Sequence, residues 1–162
     1  MGIERAGDAM DGDRRTVVLG GAGLVAGAAL GLTTGTAAAA GAAEAERAIA
    51  AFVGDAPVGE GGPLVLGLPA VAENGFSVPL EVSVASPMTE ADHVEAVLVV
   101  ATDNPNAEIA TYRFTPASGE ARVSARVRLA RTQDVIAVAR TSAGAAWRTA
   151  RRVEVVVGGC GA

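Results

Sequence analysis

Val155-Val156-Val157-Gly158-Gly159-Cys160-Gly161-Ala162 closes the chain and holds its only cysteine. A structural cysteine sits among apolar side chains. Cys160 instead follows Gly158 and Gly159 and precedes Gly161 and Ala162. The three valines read as the end of a last strand, after which the glycines free the backbone. At about 3.3–3.6 Å per residue, the sulfur can reach roughly 10 Å beyond Val157. Without flanking side chains the segment is thin enough to enter a narrow cleft in another protein. Its chemistry is that of a thiol with a pKa near about 8.5, nucleophilic as the thiolate. The tail offers no neighbouring cation, and the terminal carboxylate two residues on opposes ionisation. Arg151 and Arg152 lie eight or nine residues back. Activation is therefore expected from a partner's site, and residues 158–162 have the build of a flexible carrier arm.

Few other residues offer chemistry. His93 is the only histidine; it reads either as a base or pH switch or as a turn histidine with a local hydrogen bond. In Pro87-Met88-Thr89-Glu90-Ala91-Asp92-His93, Thr89 is placed to cap a helical turn, with Asp92 three residues on. Arg122, Arg126 and Arg128 alternate along one segment, either as an anion-attracting strip or as a solvated strand face. Trp147 reads as core or interface. One histidine and one cysteine cannot build a zinc site of the usual kind, and neither a P-loop nor a GxGxxG fingerprint is present. A cysteine enzyme would need a base and an orienting group beside its thiol, which a terminal cysteine lacks. A disulfide between two copies is the remaining use of an odd thiol.

The front of the chain reads as an export leader over residues 1–42. Arg14 and Arg15 form a twin arginine, followed by a Gly- and Ala-rich apolar stretch from Val17 to about Leu32. Thr33 to Ala40 supplies small residues, with cleavage expected near Ala40 or Ala42. The apolar stretch falls short of the roughly 20 residues of a spanning helix, so no stable membrane insertion is expected after cleavage; a retained membrane anchor is the competing reading. The expected destination is the periplasm, an oxidising compartment where cysteines normally pair. From Gly41 onward, 14 acidic residues face 10 arginines, and the whole chain has no lysine. With no basic patch interleaved with aromatics, nucleic acid is not an expected partner.

Residues 43–157 are long enough for one domain with one core. Glu44 to Val53 is expected to be a helix, with Ala45, Ala48, Ile49 and Phe52 on one apolar stripe; it serves either a partner or its own sheet's edge. From Leu64 the period becomes two. Leu64 to Leu68 reads as a strand. Phe76, Val78, Leu80, Val82 and Val84 alternate with polar residues and Pro79, whose missing N–H suggests an edge strand. Val94 to Thr102 is apolar throughout, as in a central strand. Asp103-Asn104-Pro105-Asn106 and Pro116 to Gly119 are turn chemistry. Ala110, Tyr112 and Phe114, then Val123, Ala125, Val127 and Leu129, alternate again. Val135 to Arg140 and Trp147 to Val157 complete about seven strands. The pattern predicts an all-β, immunoglobulin-like antiparallel sandwich with a short N-terminal helix; a β-barrel is the competing architecture.

The tail GGCGA, with TQDVIAVARTS, SVPLEVSVASPMTEADHV and ATDNPNAEIATYRFTPASG in this order, resembles the SoxY family of thiosulfate-oxidation carriers. The resemblance covers nearly all of residues 43–162 and the twin-arginine leader. The family's tail usually ends in two glycines after the cysteine, where this chain has Gly161 and Ala162. The resemblance implies an immunoglobulin-like sandwich paired with a smaller SoxZ-like subunit as a heterodimer. It implies sulfur intermediates covalently attached to Cys160 during thiosulfate oxidation. A haem-containing enzyme would load the arm, a hydrolase would release sulfate, and a molybdenum- and haem-containing dehydrogenase would oxidise the sulfane sulfur. The carrier itself would be neither an enzyme nor a cofactor holder. A related carrier serving another periplasmic oxidation pathway is the alternative.

Overall fold

The computed structural model describes residues 35–158. Arg14 and Arg15 at the front, and Gly159, Cys160, Gly161 and Ala162 at the end, lie outside the described residues.

The described residues run through one α-helix, α1 (Gly35–Val53), a 3-10 turn at Pro116–Ser118, and nine strands: β1 (Val58–Glu60), β2 (Leu64–Gly67), β3 (Val71–Asn74), β4 (Val78–Val84), β5 (Val94–Ala101), β6 (Glu108–Arg113), β7 (Ala121–Val127), β8 (Gln133–Thr141) and β9 (Ala146–Val157). The larger sheet has the order β1-β9-β8-β5-β6, with β3 also paired to β9; the smaller has the order β2-β4-β7. The two sheets enclose the main core. Leu64, Leu66, Val78, Leu80, Val82 and Val84 from one side meet Val97, Val99, Val135, Ala137, Ala139 and Val153 from the other.

β5 is apolar at nearly every position because both of its faces are covered. Val97 and Val99 point into the main core. Leu98 and Val100 point the other way and, with Ile136 and Val138 of β8, receive Ala45 and Ile49 of α1. Burying such a side chain fully contributes about 1.5–3 kcal/mol, which holds α1 on the face of the larger sheet. The apolar stripe is as expected, but its target is a sheet face rather than an edge. The helix also begins at Gly35, nine residues before the expected Glu44. The run Ala37 to Ala40 has the highest helix propensity of any residue type and extends it. α1 ends at Gly54, whose φ of 58° suits a left-handed cap and whose N–H donates to the carbonyl of Ala50 at 3.0 Å.

Several other expectations need correction. The pairing is not wholly antiparallel: β1 and β3 both run parallel to β9. Neither short strand shows a run of alternation long enough to be read from sequence. Pro79 lies on β4, the middle strand of its sheet. β2, however, pairs only with the stretch from Glu81 to Val84, so at Pro79 β4 keeps β7 alone as a neighbour and is locally an edge. Phe76 is not part of β4. The Asn74 side chain accepts the N–H of Phe76 at 2.9 Å, a turn that lifts the ring off the sheet and leaves it 54% exposed. Thr89 caps no helical turn: its Oγ1 accepts the N–H of Asp92 at 3.1 Å in an irregular loop. The expected β5 span, both turns and β8 are observed at their predicted places.

Candidate functional site

The tail leaves the fold from β9, and the way β9 ends decides where. β8 pairs with β9 only as far as Val153. Beyond it, β3 takes over on the opposite edge, with Val71 in register with Glu154, Ala72 with Val155 and Asn74 with Val157. The N–H of Gly75 donates to the carbonyl of Val157 at 2.7 Å. The strand is thus held to its last residue, and Gly158 follows it outside any strand. Val156 and Val157 are 64% and 55% exposed, so the strand is anchored by its backbone there more than by burial.

On the β8 side the end of β9 is held by the loop between β7 and β8. Thr132 Oγ1 accepts the N–H of Val155 at 3.0 Å. The N–H of Leu129 donates to the carbonyl of Gly75 at 2.8 Å, the same residue that binds Val157. This loop is fixed in turn by two side-chain amides. Asn104 Nδ2 donates to the carbonyl of Arg128, and Asn104 Oδ1 accepts the N–H of Ala130, each at 2.9 Å. Gln133 is the buried polar residue among the described ones, 2% exposed. Its Nε2 donates to Asn104 Oδ1 at 2.8 Å and to the carbonyl of Arg131 at 3.1 Å, while its Oε1 accepts the N–H of Asp103 at 2.7 Å. The sequence marks Asp103 to Asn106 as a turn and does not single out Gln133. The available signal is a lone amide beginning the apolar run of β8, where a buried polar group needs partners.

The remaining candidates fall elsewhere or into plainer roles. His93 Nδ1 donates to the carbonyl of Thr89 at 3.1 Å, the local turn contact expected for it. Arg122 pairs with Glu81 at 3.4 Å. Arg126 donates to the carbonyl and hydroxyl oxygens of Ser77 at 3.4 and 3.3 Å, one residue from exposed Phe76. Arg152 pairs with Asp134 at 3.2 Å, on β9 five residues before Val157. Trp147 packs against the main core, and its ring covers Gly59 and Gly62 so closely that a Cβ at either would overlap it. Tyr112, half-buried against the same core, has its hydroxyl pKa pushed above the usual 10.0 by desolvation. Among the described residues no cluster of His, Cys, Asp and Glu is placed to hold a metal, and no helix is long and apolar enough to cross a membrane.

The family model for the sulfur oxidation protein SoxY matches residues 49–160 and so runs to Cys160 itself. The chain belongs to the SoxY family. Among solved structures, the SoxY sulfur carrier protein from Chlorobium limicola f thiosulfatophilum is similar at 28% identity with a TM-score of 0.60, over 72% of this chain and 99% of that one. A superoxide reductase (neelaredoxin) variant from Ignicoccus hospitalis is similar at 15% identity with a TM-score of 0.53, over 58% and 80% of the two chains. That second likeness is one of fold alone. No curated protein matches the chain in sequence. Within the SoxY match, the two motifs that bear Asn104 and Gln133 meet in space at the end from which the tail departs.

Proposed function

We propose that this SoxY-family chain is a sulfur carrier of periplasmic thiosulfate oxidation, bearing its cargo on Cys160 at the end of a flexible arm. The observation that carries the reading is the family match ending on Cys160, together with a last strand tied down through Val157. A fixed root and a glycine-flanked thiol give a tether of defined origin and short reach. The two-sheet body serves as an immunoglobulin-like sandwich that presents the arm and pairs with a SoxZ-like subunit. Arg14 and Arg15 direct export by the twin-arginine route, and the leader is removed at its small-residue site.

The chemistry belongs to the partners. The Cys160 thiolate joins the outer sulfur of thiosulfate to form Cys160–S–S–SO3−, and the two electrons released pass to a haem-containing enzyme. Water then attacks the sulfonate sulfur in a hydrolase, breaking the S–S bond. Sulfate and two protons leave, and Cys160–S–S− remains. A dehydrogenase oxidises that outer sulfur with three waters to Cys160–S–SO3−, taking six electrons and releasing six protons. A second hydrolysis restores the thiolate. The arm supplies the thiol and its delivery; none of these steps needs a base on the carrier.

Intact-mass and peptide analysis of protein isolated during thiosulfate turnover tests this. Sulfane, thiosulfonate or sulfonate adducts are expected on Cys160. Only unmodified Cys160 under turnover overturns the reading.

A further inference from the structure

We propose that Asn104, Gln133 and Thr132 form a positioning brace that sets the direction in which the tail leaves the fold. The inference rests on the carrier reading above and adds to it residues that never touch cargo.

Past Val153 the last four residues of β9 lack their β8 neighbour. A parallel strand on one side, β3, would leave this end free to splay away from the body. One short loop holds this end at two points: Thr132 Oγ1 grips the N–H of Val155 from the side opposite β3, and Leu129 grips Gly75, the residue after β3 that binds the carbonyl of Val157. A loop transmits position only if it is itself rigid. Here Leu129 and Ala130 are 0% and 1% exposed, and Asn104 binds the loop's backbone on both sides of Leu129. Gln133 in turn holds Asn104 and ties it to β8. The network is therefore continuous, from a buried amide to the root of the arm. A satisfied polar network anchored on a buried amide, here Gln133, imposes one geometry where an apolar filler would accept several. For a tether of only a few residues, the angle at the root decides how much of its reach points into a docked enzyme.

The test uses the full-length chain with its SoxZ-like subunit and three variants, Asn104→Ala, Thr132→Val and Cys160→Ser. Thr132→Val is nearly isosteric and keeps the fold should Asn104→Ala fail to fold. Three quantities are read: residue-resolved amide exchange, maleimide alkylation of Cys160, and sulfate release by the hydrolase from thiosulfate-loaded carrier. Exchange at the amides of Val155 and Gly75 should rise at least tenfold while those of Val97 and Val99 hold. Alkylation should be unchanged. KM for loaded carrier should rise about three- to tenfold with kcat preserved, because a wider cone of tail directions lowers productive entry without altering the chemistry. Faster local exchange with unchanged KM overturns the brace and leaves the carrier reading intact. Sulfate release that persists in Cys160→Ser overturns the carrier reading and the brace with it.

Discussion

Arg140 of β8 reaches across to the last turn of α1 and holds Phe52 twice: its guanidinium lies 5.4 Å from the ring centroid and donates to the Phe52 carbonyl at 3.1 Å. That carbonyl belongs to the final helical turn, where backbone acceptors lack intrahelical donors and a cation is favoured. The same guanidinium also pairs with Glu95 at 3.0 Å.

Arg140→Met keeps an unbranched apolar stem and removes all three interactions. Cation–π contact and a charged hydrogen bond at a partly exposed site are together worth about 1–2 kcal/mol. Urea unfolding should show a midpoint shift of that size with little change in slope. Amide exchange should rise through the last turn of α1 and not in β5.

Tyr112 supplies a pH dependence. Burial raises its hydroxyl pKa above 10.0 in the folded state, so folding favours the neutral phenol. Its contribution is complete below the unfolded value of about 10 and is lost as pH climbs through the higher folded value. Thermal melts between pH 9 and pH 11 should therefore show a fall in stability that Tyr112→Phe reduces. A fall of equal size in the variant would assign it to other groups.

Gly158→Val and Gly159→Val together test slimness and freedom of the proposed arm apart from its thiol. β-Branched residues stiffen the segment and widen it. Cys160 should titrate normally with a thiol reagent while sulfate release from the loaded carrier drops about tenfold. Turnover at the parent rate would mean that the thiol is presented by a fixed surface.

The elements legible in the sequence are those whose pattern is local. β5 and β8 announce themselves by near-continuous apolar runs, β4 and β7 by alternation, and α1 by the spacing of Ala45, Ala48, Ile49 and Phe52. β1 and β3 are three and four residues long, and their pairing is dictated by β9, more than eighty residues away in sequence. Phe76 reads as the first rung of an alternation, yet the Asn74 side chain turns the chain before the ladder begins. At the site, the tail reading rests on glycines around a lone cysteine within five residues, four of which lie outside the described ones. Asn104 and Gln133 are not legible in this way, since each is an ordinary amide until the fold brings them to 2.8 Å.

β9 is the last strand of its sheet to be made, and it is the one strand with which β1 and β3 pair. The larger sheet joins residues 58–60 to residues 146–148, a separation that spans most of the domain. Such pairings give a high contact order and slow folding, and here they cannot begin until residue 146 has left the ribosome. The larger sheet therefore stays incomplete until the strand before the tail is made: a nascent chain cut short before residue 146 keeps β1 and β3 without a partner. On the proposed twin-arginine route, which accepts only folded cargo, synthesis of the arm's root and readiness for export become a single event.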